Sequence, residues 1–259
     1  MVVGVLALQG GFAEHMAMLD RLKVAAREVR LPRDLEGVDR LILPGGESTT
    51  FGKVAVASGM IAPLIAFAGA GCPMWGTCAG LIFMAKDVGR DQVGLSLMDV
   101  TVRRNAFGRQ VDSFTQDLKI TGLRAPFKAV FIRAPLIEKV GKGVKVLSRL
   151  DDGTIVAARQ GLFLGTSFHP ELTDDPRMHA LFLTLEENGN NFSPSRRTPG
   201  RGEVVSKNKG LRGRDGHWAH ALEKHHENRQ ADQHDPNGAD AEIIPLTQDH
   251  AAGQASQRR

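Results

Sequence analysis

The stretch Met74-Trp75-Gly76-Thr77-Cys78-Ala79-Gly80 constrains the fold more than any other part of the chain. A short apolar run leads in, the helical-looking Leu81-Ile82-Phe83-Met84-Ala85-Lys86 leads out, and a thiol sits at the turn with glycines two residues to either side. A strand that passes so quickly into a helix needs a strained backbone at the turn. Small neighbours permit that strain and leave the central side chain exposed at the end of the sheet. This is the pattern of a nucleophile elbow, with cysteine in the place of the more familiar serine. The unpaired N–H groups and the dipole of a helix N-terminus favour an anion, so a thiolate is the expected reacting form. Packing as a small buried hydrophobe is the alternative for a free cysteine.

A cysteine nucleophile in acyl transfer needs a histidine to manage protons, and the histidine needs a group to orient it. Of nine histidines, only His15, His169 and His179 precede the last seventy or so residues. His169 lies in Ser167-Phe168-His169-Pro170-Glu171-Leu172, just after the apolar Gly161-Leu162-Phe163-Leu164. Pro170 stops that strand, which places His169 and Glu171 on a strand-end loop. On an extended chain, residues two apart share a side, so Glu171 can reach one imidazole nitrogen while the other faces a thiol. An ordinary His-Pro-Glu turn is the competing reading.

A third segment, Leu41-Ile42-Leu43-Pro44-Gly45-Gly46-Glu47-Ser48-Thr49-Thr50, runs from an apolar strand through paired glycines into a helix start. Consecutive glycines let backbone N–H groups point into a cavity, as an oxyanion hole requires. A plain connecting turn or a phosphate cradle would use the same residues, although the GxxxxGK[ST] spacing of a P-loop is missing.

Apolar strands near 2–8, 40–43, 72–75, 129–132, 144–147, 154–158 and 162–168 alternate with helical stretches near 12–23, 51–68, 79–86 and 176–187. Such alternation predicts a three-layer α/β fold, a mostly parallel central sheet with helices on both faces and a site at the strand C-terminal ends. Residues 92–128 read as strands and turns and predict an antiparallel addition to the same sheet. The apolar start Met1 to Leu8 has no basic flank and breaks at Gln9, so it reads as a first buried strand, neither a signal peptide nor a membrane span. Two cysteines six residues apart, Cys72 and Cys78, argue against a structural disulfide and for a reducing cytoplasm.

Composition changes after about Asn190. Large apolar residues become sparse, and six of the nine histidines fall in this part. Residues 190–259 are therefore expected to form a disordered polar tail, with 1–189 as the folded domain. His217, His220, His225 and His226 invite a metal, but no second cluster or folded frame supports one, and none is expected. The formal charge of +4 is spread over both parts without a basic aromatic stripe, which argues against a nucleic-acid partner.

Read together, Gly4-Val5-Leu6-Ala7-Leu8-Gln9-Gly10 with Glu14-His15, LPGGESTT at 43–50, WGTCAG at 75–80, RNAFGRQVDSF at 104–114, FIRAP at 131–135 and SFHPELT at 167–173 resemble the class I (triad) glutamine amidotransferases, a flavodoxin-like fold. Within that class they are most similar to the glutaminase subunits of pyridoxal 5'-phosphate synthase. The resemblance covers about residues 1–189. It implies that Cys78 attacks the glutamine amide carbon, that His169 carries the proton to departing ammonia, and that Glu171 orients His169. It also implies an oxyanion hole from the backbone of Gly46 and Ala79, and a glutamine site of Gly46, Glu47, Ser48, Arg104, Ile132 and Arg133. Gln9 and Gly10 would face a synthase subunit in a large hetero-oligomeric complex that receives the ammonia, and no cofactor is implied. A glutaminase for a histidine or purine synthase, or a docking module without catalysis, are the other readings. RNAFGRQVDSF speaks against another synthase, and the intact Cys78, His169 and Glu171 set against a silent module.

Overall fold

The computed structural model describes residues 1–104 and 113–186. In chain order the elements are β1 (Val2–Leu6), α1 (Phe12–Arg21), β2 (Ala25–Val29), β3 (Arg40–Leu43), α2 (Ser48–Ala57), α3 (Ile61–Gly69), β4 (Met74–Thr77), α4 (Ala79–Met84), β5 (Ala85–Asp87), β6 (Met98–Arg103), β7 (Ser113–Leu118), β8 (Phe127–Ile132), β9 (Leu136–Val140), β10 (Lys145–Arg149), β11 (Ile155–Gln160), β12 (Phe163–Thr166) and α5 (Arg177–Leu183). The central sheet runs β2-β1-β3-β4-β12-β11-β9-β6-β5, with β10 paired to β11. Its first five strands are parallel neighbours, and β11, β9 and β6 continue it in antiparallel fashion. Counting only the parallel strands, the order is 2-1-3-4-5, the flavodoxin-like order, whose chain direction reverses between β1 and β3. Ligands in such sheets bind outside the strand C-termini at that reversal.

The parallel strands read as unbroken apolar runs because both of their faces are covered. The two-residue period sorts their side chains between two cores. Val3, Val5, Ile42 and Trp75 face Leu19 of α1 and Met178 and Phe182 of α5. Leu6, Leu41, Leu43 and Met74 face Phe51 of α2, Leu64 and Phe67 of α3, and Phe83 of α4. Helices therefore cover both faces, as the alternation predicts.

Four local expectations need correction. The helix expected over 51–68 is two helices, α2 and α3, bent by 95°. Gly59, with φ +68°, supplies the left-handed residue that ends α2, and the continuous apolar content of both helices hides the break. The expected antiparallel addition from 92–128 divides: β6 joins the central sheet beside β9, whereas β7 pairs with β8 in a separate two-stranded sheet. That pair takes the 129–132 strand out of the central sheet, because Phe127 and Phe131 pack onto the face shared with α1 and α5. β2 and β9 were not expected at all. β2 is a sheet edge whose Ala25, Arg27 and Glu28 face water, so it lacks an apolar pattern. Among the described residues no single helix is long and apolar enough to cross a membrane.

Candidate active site

β4 delivers Cys78 into α4 through a backbone conformation that most residues avoid, φ +47° and ψ −101°. The turn is possible because Gly80 has no side chain: a Cβ there would lie 1.9 Å from the carbonyl oxygen of Leu43. Cys78 N–H donates to the Thr166 carbonyl at 2.8 Å, which ties the elbow to the end of β12. Because β4 and β12 are parallel with Thr77 opposite Thr166, the residues that follow each strand emerge side by side. One of those is His169.

His169 N–H donates to the Val130 carbonyl of β8 at 2.8 Å. Its side chain is 12% exposed and its Nδ1 lies 2.7 Å from Glu171 Oε1. The pairing is made differently from the extended geometry expected. Pro170–Leu172 form a single 3-10 turn, and this turn brings Glu171 under the imidazole. Burial opposes protonation of His169, but hydrogen bonds to Cys78 and Glu171 and the charge of both outweigh it, and the imidazole pKa rises to about 10. Burial likewise opposes ionisation of Glu171, and the imidazoles of His15 and His169 outweigh it, holding the carboxyl below its ordinary range. A thiol, an imidazole and a buried carboxylate are thus joined in series, the arrangement that activates a nucleophile and orients its base.

Behind Glu171 lie two further imidazoles, both fully buried. His15 Nε2 is 3.4 Å from Glu171 Oε2, and its Nδ1 is 2.8 Å from His179 Nε2. Burial pushes both below the usual histidine range, His179 to about 2. A base whose folded pKa is depressed binds fewer protons folded than unfolded, so the stability it contributes above its unfolded pKa of 6.5 is lost as pH falls. His169 has the opposite sign: its contribution is present below 6.5 and is lost as pH rises toward 10. Stability should therefore peak near neutrality. On the acid side, well below 6.5, it should decline by about 1.4 kcal/mol per pH unit for the His179 proton, with His15 adding to the loss in the same direction. Urea unfolding between pH 7 and 5 measures this slope, and a flat profile would show that the buried pair accepts protons without loss of the fold.

The β1–α1 and β3–α2 loops meet at the point where the strand order reverses. Gly11 N–H donates to the Gly45 carbonyl at 3.1 Å. The Gln9 amide brackets the Glu47 peptide, accepting from its N–H at 3.1 Å and donating to its carbonyl at 3.3 Å. Gly46 therefore lies directly against the Gln9 side chain. The Glu47 carboxylate caps α2 by accepting from Thr49 and Thr50 N–H at 3.1 and 2.6 Å, and these bonds lower its pKa to about 2. Arg104 donates to Glu47 at 3.4 Å and to Gln92 at 3.2 Å, and Gln92 donates to the Ser48 carbonyl at 3.3 Å, so Glu47, Ser48 and Arg104 form one cluster through Gln92. The Ser48 hydroxyl is buried without a hydrogen-bond partner. Ile132 ends β8, is 36% exposed, and precedes Arg133, which adopts φ +41°. Of RNAFGRQVDSF, residues 105–112 lie outside the described residues.

Two participants escaped sequence reasoning. Gly45 stands between His169 and Cys78: a Cβ on it would be 2.3 Å from His169 Cε1 and 3.3 Å from Cys78 Cβ. The paired glycines signalled a special backbone here without saying which glycine served which neighbour. His15 was visible only as a possible rival base, and nothing local in the sequence ties it to Glu171.

Solved structures and related sequences share this fold and much of this sequence. The chain is 58% identical over 190 residues to pyridoxal 5'-phosphate synthase subunit PdxT of Herpetosiphon aurantiacus, covering 71% of this chain and 100% of that one. A crystal structure of a glutamine amidotransferase superposes with a TM-score of 0.69 at 50% identity, covering 71% of this chain and 98% of that one. At 16% identity, the structure of PurLQS from Thermotoga maritima shares the fold, with a TM-score of 0.53 and coverage of 70% and 96%. The SNO glutamine amidotransferase family matches across residues 5–187, through the elbow, the paired glycines and the His-Pro-Glu turn, and the chain belongs to that family.

Proposed function

We propose that this protein hydrolyses L-glutamine to L-glutamate and ammonia as the glutaminase subunit of a pyridoxal 5'-phosphate synthase. It does so in the cytoplasm, within a large hetero-oligomeric complex that includes the synthase subunit but neither nucleic acid nor membrane. The observation that carries the reading is the hydrogen-bonded His169–Glu171 pair set against a thiol at a strained elbow, in a chain of this family. The Cys78 thiolate adds to the side-chain amide carbon of glutamine, and the oxyanion is held by the backbone N–H groups of Gly46 and Ala79. His169, as imidazolium, gives its proton to the amide nitrogen; the C–N bond breaks, and ammonia leaves. Neutral His169 then takes a proton from water, whose oxygen attacks the thioester; the C–S bond breaks, glutamate is released, and the thiolate and the imidazolium are restored. Gly46, Glu47, Ser48, Arg104, Ile132 and Arg133 hold the amino acid. The unpartnered Ser48 hydroxyl supports a polar ligand there, and the left-handed Arg133 has the strain common at binding sites. Gln9 and Gly10 face the partner, and the Gln9 bracket on the Glu47 peptide supports a link between docking and the oxyanion hole.

Ammonia release from glutamine, measured for the full chain with and without a synthase subunit of pyridoxal 5'-phosphate synthase, tests the proposal. Stimulation by that subunit, with none from a histidine or purine synthase, is the expected result; no hydrolysis under any condition would favour a silent docking module. Residues 1–189 are proposed to carry all of this chemistry. The family match ends at residue 187, and the later sequence has too little apolar content to build a core. Truncation after Asn190 should leave partner-stimulated activity and the melting temperature close to those of the full chain. A large loss of either would make the tail part of the working enzyme.

A further inference from the structure

We propose that His15, held as the neutral Nε2–H tautomer, positions the Glu171 carboxylate, and that His179 fixes this tautomer. The inference rests on the glutaminase reading. It starts from the two oxygens of Glu171. Oε1 is taken by His169 Nδ1 at 2.7 Å, whereas Oε2 is buried without a hydrogen bond of ordinary geometry. A buried charged oxygen left without a donor is costly, and His15 Nε2, at 3.4 Å, is the donor placed to serve it. Thr77 Oγ1, at 3.3 Å, makes the hydrogen bond of ordinary geometry to the same nitrogen, so the Nε2 hydrogen is shared between this hydroxyl and the carboxylate.

Proton positions then follow one from another. An ionised carboxylate only accepts, so His15 Nε2 carries the hydrogen and His15 Nδ1 is a bare acceptor. His179 Nε2 must therefore donate across the 2.8 Å contact. That leaves His179 Nδ1 as a lone pair, and this is the atom that is buried without a partner. The reverse assignment would set the His15 Nε2 lone pair against a lone pair of the carboxylate oxygen and bury the His179 Nδ1–H with nothing to receive it, the worse orphan. Trp75 holds both rings edge-on, at 5.7 Å from His15 and 5.0 Å from His179, and is itself anchored by Nε1–H donating to Thr166 Oγ1 at 3.1 Å. The charged and titratable groups that act on His15 are Glu171, His169, Glu14 and His179. Burial outweighs the acidic ones and keeps the ring neutral.

The consequence for the reaction is mechanical. His169 changes protonation twice per turnover and must return to one orientation each time. A carboxylate held at one oxygen can swing about its side-chain bonds, and one held at both cannot.

The test uses the full-length chain with saturating synthase subunit. It compares kcat, KM for glutamine, and the rate at which iodoacetamide alkylates the Cys78 peptide at neutral pH. His15→Leu should lower kcat at least tenfold, leave KM within about twofold, and slow alkylation at least fivefold. His15→Gln, whose amide nitrogen reaches near the Nε2 position, should recover most of the kcat, whereas His15→Asn, which is too short to reach Glu171, should not. A leucine variant with kcat within twofold of the parent overturns the proposal. So does equal impairment of the Gln and Asn variants, which would make His15 a packing residue, and this comparison decides the matter if the leucine variant does not fold. Alkylation needs no glutamine turnover, so a parent protein that hydrolyses no glutamine would remove the glutaminase reading while leaving the positioning role measurable.

Discussion

Cys78→Ala is expected to bring glutamine hydrolysis down to background, a loss on the order of a millionfold where a nucleophile is removed from a working triad. The fold should survive. Cys78 already places a Cβ in the φ +47° conformation, so alanine adds no strain, and only the sulfur of a residue that is 7% exposed is lost. Ammonia release by the variant with its synthase subunit, beside a thermal melt, separates chemistry from folding. Turnover at the parent rate would end the case for a covalent thioester.

Gly45→Ala should also damage turnover, though less, and by a different route. Gly45 is not in the left-handed region, so its backbone accepts alanine. The added methyl nevertheless comes within 2.3 Å of His169 Cε1, and the ring must move by about 1 Å to restore van der Waals contact. Displacement of a catalytic group by that much costs about a hundredfold in rate. A fall in kcat of that order with little change in the urea midpoint is the expected outcome. Parent-like kcat would mean that His169 has room to reach Cys78 by another path.

Those two residues also mark where the sequence was legible and where it was not. The elbow could be read because a strained turn admits few residue types, and Gly76, Cys78 and Gly80 satisfy it within five positions. The parallel strands β1, β3 and β4 were equally plain, since strands covered on both faces have no polar register to confuse them. β2 was invisible for the converse reason: an edge strand with Arg27 and Glu28 in water resembles a loop. The α2–α3 break was hidden because apolar residues continue around it, leaving Gly59 and Pro63 as its signals. The 3-10 turn at Pro170 escaped because an extended chain and a tight turn both bring His169 and Glu171 together. Nothing local distinguishes the sheet that β7 and β8 build from an extension of the central one. The role of His15 is long-range in the strictest sense, since it exists only once α1 has packed against the turn at Glu171.

The placement of β12 between β4 and β11 has a consequence for how the protein comes to life during synthesis. The ribosome makes the N-terminal end first, so Cys78 emerges and can join its elbow long before the segment bearing His169 exists. Until that late strand inserts between its neighbours and carries the imidazole alongside the thiol, a nascent chain holds Cys78 without His169. On the proposed mechanism, ammonia production is switched on by completion of the sheet, and a fragment ending before β12 should release none.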